Sequence, residues 1–413
     1  MEPDLRRRRL LLALCAFPPA AVAASRVLAD TGDAQRARGT VRIGVSGPFS
    51  GDSQAIGISM REGVRIAAAR INAAGGVLGR PLELVERDDQ ASNERGAQIA
   101  QELIEREQVV AVVGIVNTGV ALASQRHYQA ARIPVITAVA TGSMITRQFQ
   151  PPDFPHNYVF RAAASDRLQA RAMVDEAAGR EGLTRLAIFH DGTNYGVLGS
   201  ADLEAELRIR TLRALLVERL APAEAAVSQQ LRRARAAGAE AILAYGAGAE
   251  LALLANAAAH LRWPVPIIGS WTLASAPFIR AAGRNADGVR MPQTFVTNAG
   301  SQAAREFVLA WRTHTRSEII PVPPAAAQGY DSTLILAAAI DQAGSLDGKR
   351  IREALENLQT PVQGIIMTYD RPYSRDRHET LTESAQLHIG EIRDGRIVQA
   401  HATGEARTTA VRP

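Results

Sequence analysis

The chain has 413 residues, of which 46% are hydrophobic and 22% are charged. This length is enough for two domains of ordinary size, and the composition is that of a folded globular protein. The formal net charge is +5, but the arginines are scattered over predicted helix faces and are not interleaved with aromatic residues. Nucleic-acid binding usually needs a concentrated basic surface with stacking residues, so the sequence argues against a nucleic-acid partner.

The N-terminus has the features of a targeting segment. Arg6 to Arg9 form a positive region, Leu10 to Phe17 form a short apolar stretch, and Ala21-Val22-Ala23 fits a cleavage site. About 8 apolar residues are too few to cross a bilayer, which needs roughly 20. We therefore predict an exported protein with a signal peptide at 1–23 and a linker at 24–40, against the alternative of a disordered cytosolic tail. The arginines are compatible with the general secretory route and with the twin-arginine route.

Apolar strand patterns and amphipathic helix patterns alternate along the chain. In the first half the predicted strands are 41–46, 81–86, 109–113 and 133–137, and the helices are 56–71, 92–106 and 120–131. After a proline-rich break at 150–155, the predicted strands are 185–190, 212–217, 241–245 and 267–268, and the helices are 168–178, 194–207, 225–237 and 251–260. Helices at 305–316 and 333–343 and β-like runs at 365–369 and 386–391 complete the series. This alternation predicts an α/β fold with two doubly wound parallel sheets.

Two of the predicted strands end in small, hydroxyl-bearing turns. Asn117 and Thr118 follow the third strand, and Val139, Ala140 and Thr141 follow the fourth. Open α/β sheets bind ligands at the carboxyl ends of their strands, and the free N–H groups at a helix start favour an anion. The sequence has no nucleophile motif, phosphate-binding loop or metal-ligand spacing near these turns. The turns therefore predict a site that holds a small molecule without a cofactor or a metal.

Longer motifs connect these turns to a known family. The following segments occur in order: 44–51, 71–81, 88–89, 113–114, 133–136, 159–161, 191–196, 238–242 and 329–331. Each segment is weak evidence alone, but their order and spacing are specific. From residue 41 to about residue 395, the chain resembles the type I periplasmic solute-binding proteins of ABC importers, in the leucine/isoleucine/valine-binding family.

The resemblance implies two lobes joined by a hinge that the chain crosses three times. Lobe 1 would comprise 41–160 and 291–364, and lobe 2 would comprise 161–290 and 365–405. The ligand would bind in the cleft between the lobes, and the closed form would dock on a membrane permease. Since bound ligand adds contacts only in the closed state, it would shift the protein towards closure. A monomer with one ligand per pair of lobes is expected.

The resemblance also assigns roles to individual residues. Asn117 and Thr118 would grip a ligand carboxylate, the Val139 carbonyl would accept a hydrogen bond, and Thr141 would donate one. Tyr195 would reach across the closed cleft from the second lobe. Each residue has an ordinary structural alternative, since Thr118 could serve as an N-cap, Thr141 could bond its own backbone, and Tyr195 could pack on its helix.

One position departs from the family pattern. Many relatives carry an acidic residue for the ligand's ammonium where this chain has Trp271, which offers an aromatic face and one N–H but no charge. Gly248 also stands where some relatives have an aromatic residue. Asp191 and Glu250 are near cleft-facing loops, but the resemblance does not aim them at the ligand. We therefore expect a branched-chain amino acid to bind no better than its deaminated or aromatic analogue, unless Trp271 is only a core or hinge residue.

Three functions are compatible with these patterns. The favoured one is an extracytoplasmic receptor of an ABC importer for a small carboxylate, amino acid or amide. A ligand sensor of the same fold without a transport role is the first alternative, and an α/β enzyme is the second. The adjacent acids Asp88 and Asp89 could suggest catalysis, but neighbouring residues at a strand end point apart, so a capping role before the helix at Ser92 is expected.

Overall fold

The computed structural model describes residues 39–247, 250–297 and 301–401. The predicted signal peptide, the linker up to residue 38 and Gly248 lie outside the described residues. Among the described helices, none combines the length and the apolar character that crossing a membrane requires.

The first lobe is built on a five-stranded parallel sheet with the strand order β2-β1-β3-β4-β5. Its strands are β1 (Val41–Gly47), β2 (Leu82–Asp88), β3 (Ala111–Gly114), β4 (Val135–Thr137) and β5 (Val159–Arg161). The helices between them are α1 (Gln54–Ala73), α2 (Asn93–Glu105) and α3 (Thr118–Ala131). The central strands are buried on both faces, as the continuous apolar runs in the sequence predict.

The second lobe is built on a seven-stranded sheet with the order β14-β13-β10-β9-β8-β6-β7. Its strands are β6 (Leu186–His190), β7 (Leu216–Arg219), β8 (Ala241–Tyr245), β9 (Ile267–Gly269), β10 (Arg290–Gln293), β13 (His388–Arg393) and β14 (Arg396–Gln399). Its helices are α4 (Asp166–Val174), α5 (Asn194–Ile209), α6 (Glu224–Ala236), α7 (Glu250–His260) and α8 (Ala276–Ala282). Strands β6 to β10 are parallel, and β13 and β14 add an antiparallel edge.

Between β10 and β13 the chain returns to the first lobe. This stretch comprises α9 (Gln302–Thr315), α10 (Pro323–Ala343), α11 (Gly348–Glu356) and a small hairpin of β11 (Val362–Gln363) and β12 (Thr368–Tyr369). Helix α10 packs along α1, and their apolar faces join one core with the first sheet. The two lobes that the sequence predicts are therefore present.

The strand pairing favours crossings between the lobes that lie later in the chain than the sequence resemblance implies. We expected the chain to return to lobe 1 near Met291, but β10 pairs with β9 and β13 of the second sheet. We expected the last crossing near Ile365, but the Arg161 N–H donates to the His378 carbonyl at 2.8 Å, which extends the first sheet. Because sheet membership decides which lobe a segment moves with, we propose lobe boundaries after Gln293 and after residue 380.

Several predicted elements differ in extent, and the strand predicted at 212–217 is β7 at Leu216–Arg219. Helix α10 begins at Pro323, ten residues before the predicted start, because proline is compatible with the first turn of a helix, where no N–H partner is needed. The predicted β-like run 365–369 is mostly a turn. The carboxylate of Asp331 accepts hydrogen bonds from the Ile365 and Ile366 N–H groups at 2.7 and 3.0 Å, so these groups do not pair in a ladder.

Asp331 is fully buried and also accepts a hydrogen bond from the Tyr369 hydroxyl at 3.0 Å. We expect Asp331→Ala to lower the free energy of unfolding by about 3 kcal/mol, since it leaves three donors unpaired. Urea denaturation measures this change. The exposed Asp376→Ala is the control and should have little effect, and an equally small effect of Asp331→Ala would contradict this role.

Candidate ligand site

The turn after β3 presents two polar side chains that each have one unpaired buried atom. Asn117 occupies the N-cap position of α3, but its side chain does not cap the helix; its amide nitrogen donates weakly to the Ser53 hydroxyl at 3.3 Å. Thr118 is the first helical residue and is 2% exposed. The Oδ1 atom of Asn117 and the Oγ1 atom of Thr118 are buried and have no hydrogen-bond partner among the described residues. The capping alternative therefore does not account for either side chain.

The backbone that leads into this turn is in an unusual conformation. Gly114 has φ +148°, and Ile115 has φ +62°, in the left-handed region that β-branched residues rarely adopt. Two backbone hydrogen bonds hold it there: the Ile115 N–H donates to Ser46 at 2.7 Å, and the Ile115 carbonyl accepts from Ala140 at 3.0 Å. Backbone strain of this kind concentrates at functional sites, where the surrounding structure maintains it.

The turn after β4 lies directly against the first turn. Val139, Ala140 and Thr141 are all buried. A Cβ atom at Gly142 would collide with the side chain of Thr118, so only glycine permits this approach. The structure thus brings the five predicted residues of the two turns together, while their contact with a ligand remains a prediction.

The second lobe contributes aromatic residues to the same place. Tyr195 packs against the hydrophobic cores of both lobes, and its ring centre lies 5.0 Å from that of Tyr245. Its buried hydroxyl lies near the side chains of Ser270 and Tyr245, but it makes no well-formed hydrogen bond within the described chain. Tyr195 therefore lies between the cores of the two lobes, and its contact with a ligand stays a prediction.

Trp271 lies between the two lobes. It is 8% exposed and, although it follows β9 of the second sheet, it packs in the core cluster that contains Val116 and Val139 of the first lobe. Its backbone is held from both sides, since its N–H donates to Gln169 at 3.2 Å and its carbonyl accepts from Gln293 at 3.1 Å. These hydrogen bonds fix the backbone of Trp271 beside the first lobe, while contact of its indole with a ligand stays a prediction.

The residue that sequence reasoning missed is Asp166. This fully buried acid is the first residue of α4, and its N–H donates to the Thr141 carbonyl at 2.8 Å. Its Oδ1 atom accepts a hydrogen bond from the Tyr245 hydroxyl at 2.8 Å. Burial raises the pKa of Asp166 to about 7. A carboxyl group thus lies beside Thr141, outside the turns that the resemblance assigns to the ligand, and the expectation drawn from Trp271 stays a prediction.

Three other acids singled out in the sequence, Asp191, Asp88 and Asp89, have structural roles. Asp191 accepts hydrogen bonds from Thr193 with one oxygen and from the Ala247 N–H with the other. The Asp88 carboxylate accepts a hydrogen bond from the Phe49 N–H. The Asp89 carboxylate accepts hydrogen bonds from the Ala91 N–H and from the Ser46 hydroxyl. Ser92 itself is the N-cap of α2. Asp88 and Asp89 therefore stabilise the turns before the helix and do not cap it.

Arg161 supports the ligand turn from behind. This fully buried residue at the end of β5 donates from Nη1 to the carbonyls of Thr141 at 3.0 Å and Gly142 at 2.6 Å. Its Nη2 atom pairs with Glu379, which also accepts a hydrogen bond from Thr146 at 2.7 Å. Arg161 therefore links the turn to two chain segments at the hinge.

We expect Arg161→Met to lower the free energy of unfolding by about 3 kcal/mol, since it leaves two buried carbonyls and the Glu379 carboxylate without their partner. Chemical denaturation measures the change. Arg167→Met is the matched control, because the Arg167 side chain is 45% exposed and its ion pair should contribute less than about 1 kcal/mol. Equal losses in the two variants would contradict the role assigned to Arg161.

Within the described part of the chain, no group of His, Cys, Asp and Glu side chains is suited to a metal ion.

The model of the periplasmic binding protein family matches residues 40–395. The chain is 27% identical to the Leu/Ile/Val-binding protein homolog 3 of Brucella melitensis, over 77% of this chain and 83% of that protein.

Two solved structures show the same fold. A branched-chain amino acid transporter substrate-binding protein of Streptococcus pneumoniae in complex with isoleucine has a TM-score of 0.73 at 22% identity, covering 87% of this chain and 97% of that one. A solute-binding protein of an ABC transporter from R. palustris in complex with benzoate has a TM-score of 0.73 at 19% identity, covering 88% and 96%. The chain thus belongs to the periplasmic binding protein family, as an extracytoplasmic substrate-binding protein of an ABC importer rather than an enzyme.

Proposed function

We propose that this receptor captures a small carboxylate, amino acid or amide between its lobes and presents it to a membrane permease. The observation that carries the proposal is the convergence of unpaired buried polar atoms from both lobes, with Asn117 and Thr118 on one side and Tyr195 on the other. Buried polar groups in proteins are nearly always hydrogen-bonded. A ligand with matching polar atoms would pair these groups.

The first turn suits the negative end of such a ligand. The N–H groups at the start of α3 carry the partial positive charge of a helix N-terminus, and the Thr118 hydroxyl adds a donor. The Thr141 hydroxyl in the neighbouring turn is a second donor. Hydrogen bonds to an ionised group are about twice as strong as neutral ones, so a carboxylate fits these donors better than a neutral carbonyl does.

The apolar part of the ligand would lie against the aromatic residues. Trp271, Tyr195 and Phe49 belong to one hydrophobic cluster that spans the two lobes. This apolar surface suits an aliphatic or an aromatic side chain of the ligand. The related structures with isoleucine and with benzoate support both types for this fold.

Closure would couple binding to transport. A ligand held by turns of the first lobe and by Tyr195 of the second makes all its contacts only when the lobes are closed, so it favours the closed state by its differential affinity. We propose that the closed monomer docks on the permease, and that the protein reaches the extracytoplasmic space by the general secretory or the twin-arginine route.

We expect Thr118→Ala and Thr141→Ala each to weaken ligand binding by about 1–3 kcal/mol, because each removes a donor to a charged group. Isothermal titration calorimetry with amino acids, short-chain and aromatic carboxylates and amides identifies the ligand and measures both losses. We expect micromolar or tighter binding to the wild type, about −8 kcal/mol or better.

Thr313→Ala is the control for these variants, since Thr313 is exposed and its hydroxyl bonds only the Leu309 carbonyl of its own helix. Its affinity should match that of the wild type. Unchanged affinity in both Thr118→Ala and Thr141→Ala would remove the carboxylate site from these turns.

A further inference from the structure

We propose that Ser143 and Asp202 form a latch between the two lobes, which stabilises the closed receptor without contacting the ligand. Ser143 lies in the first lobe, two residues after Thr141, and Asp202 lies on α5 of the second lobe. This inference rests on the proposed function, because a latch has a role only in a receptor whose lobes open and close. It assigns part of the strength of closure to residues outside the predicted ligand turns.

The two side chains meet across the boundary between the lobes. The Ser143 hydroxyl donates to the Oδ2 atom of Asp202 at 2.6 Å. The same hydroxyl accepts a hydrogen bond at 3.0 Å from the Arg167 N–H, in the first turn of α4. A serine hydroxyl has one proton to donate, and Ser143 donates it to the second lobe. The contact therefore ties the segment after β4 to two helices of the second lobe.

The pairing of these side chains separates them from the ligand site. Thr118 and Tyr195 each have a buried polar atom with no hydrogen-bond partner among the described residues, which leaves it for a ligand to pair. Ser143 is 8% exposed, yet its hydroxyl already has both a donor and an acceptor in the protein. Asp202 lies about two helical turns beyond Tyr195 along α5, which is roughly 10 Å at 1.5 Å per residue. The two residues therefore act on each other rather than on the ligand.

The latch differs from the hydrogen bonds that lie at the hinge. The Asp166 N–H also joins the lobes by donating to the Thr141 carbonyl, but Asp166 begins α4 directly after the first crossing. A rotation about the hinge displaces the atoms beside it least, so such a bond survives opening. Ser143 and Asp202 are 59 residues apart, and Asp202 belongs to a helix that carries no crossing. This contact should therefore break when the lobes separate.

The charge on Asp202 sets the strength of the latch. A hydrogen bond to an ionised carboxylate is about twice as strong as one between neutral groups. Contact with the first lobe also withdraws the carboxylate from water, and this burial raises the pKa of Asp202. Arg147 and Arg167 lie near enough to oppose that rise. Because the gain and the cost partly cancel, the latch stabilises closure and still opens when the ligand leaves.

A latch of this kind changes affinity without changing selectivity. The observed affinity combines the contacts that a ligand makes with the equilibrium between open and closed lobes. Loss of the contact between Ser143 and Asp202 weakens only the closing equilibrium. Every ligand of the receptor should therefore lose the same factor of affinity. The loss should come mainly from faster dissociation, because closure follows capture.

The test is a double-mutant cycle of Ser143→Ala and Asp202→Ala, with calorimetry of leucine, 4-methyl-2-oxopentanoate, benzoate and benzamide. We expect Asp202→Ala to weaken the binding of each compound that binds the wild type by about tenfold, with factors that agree within about twofold. The double variant should bind about as weakly as Ser143→Ala alone, since the two residues share one contact. Glu204→Ala is the matched control on the same helix, because its side chain is 40% exposed, and it should bind like the wild type.

Two further measurements separate a latch from general damage to the second lobe. Stopped-flow kinetics of Asp202→Ala should show dissociation about tenfold faster, with the association rate changed less than about threefold. Urea denaturation of the ligand-free variant should give the same midpoint as the wild type, because the latch is not formed while the lobes are open. A lower midpoint would assign Asp202 to the stability of its lobe and overturn the latch.

Wild-type affinity of Asp202→Ala would overturn the latch and leave the receptor function intact. A loss that differs between compounds, or losses that add in the double variant, would do the same. If Asp202→Ala fails to fold, Ser143→Ala decides, and wild-type affinity in that variant would refute the proposal. Absence of binding by every compound to the wild type would overturn the proposed function as well.

Discussion

Unpaired polar atoms buried between the two lobes are the constraint on which the rest of this structure depends. Asn117 and Thr118 of the first lobe and Tyr195 and Asp166 of the second each present one such atom. A buried donor or acceptor without a partner costs about 1–3 kcal/mol, so closure over these atoms is unfavourable unless something pairs them. A small molecule with complementary groups removes this cost only in the closed state, which makes closure a response to the ligand.

The fold supplies this arrangement through strand ends and one buried cation. Parallel sheets bring the turns after β3 and β4 to one edge, where helix N-termini begin. Arg161 then holds the second turn by its carbonyls and pairs with Glu379, on the chain segment that borders the last hinge crossing. The ligand turn and the hinge therefore share one buried hydrogen-bond network, so a change in one is expected to affect the other.

Local pattern was sufficient to predict the sheets and the first-lobe turns, since apolar strands, helix periodicity and hydroxyl residues at strand ends are properties of short segments. The short strands β5 and β10 were not predicted, because three or four residues form a strand only where neighbouring strands accept them. Asp166 was missed for a related reason. Ser165 followed by Asp166 has the ordinary form of a helix N-terminus, and its position beside Thr141 depends on the packing of one lobe against the other.

The crystal structure of the protein with the ligand identified by calorimetry tests the central claim most directly. The account predicts one ligand between the lobes, with its carboxylate within hydrogen-bonding distance of Thr118. It also predicts that the Tyr195 hydroxyl contacts the same molecule from the second lobe. A ligand bound away from these turns, or a closed structure in which Thr118 and Tyr195 make no contact with it, would contradict the account.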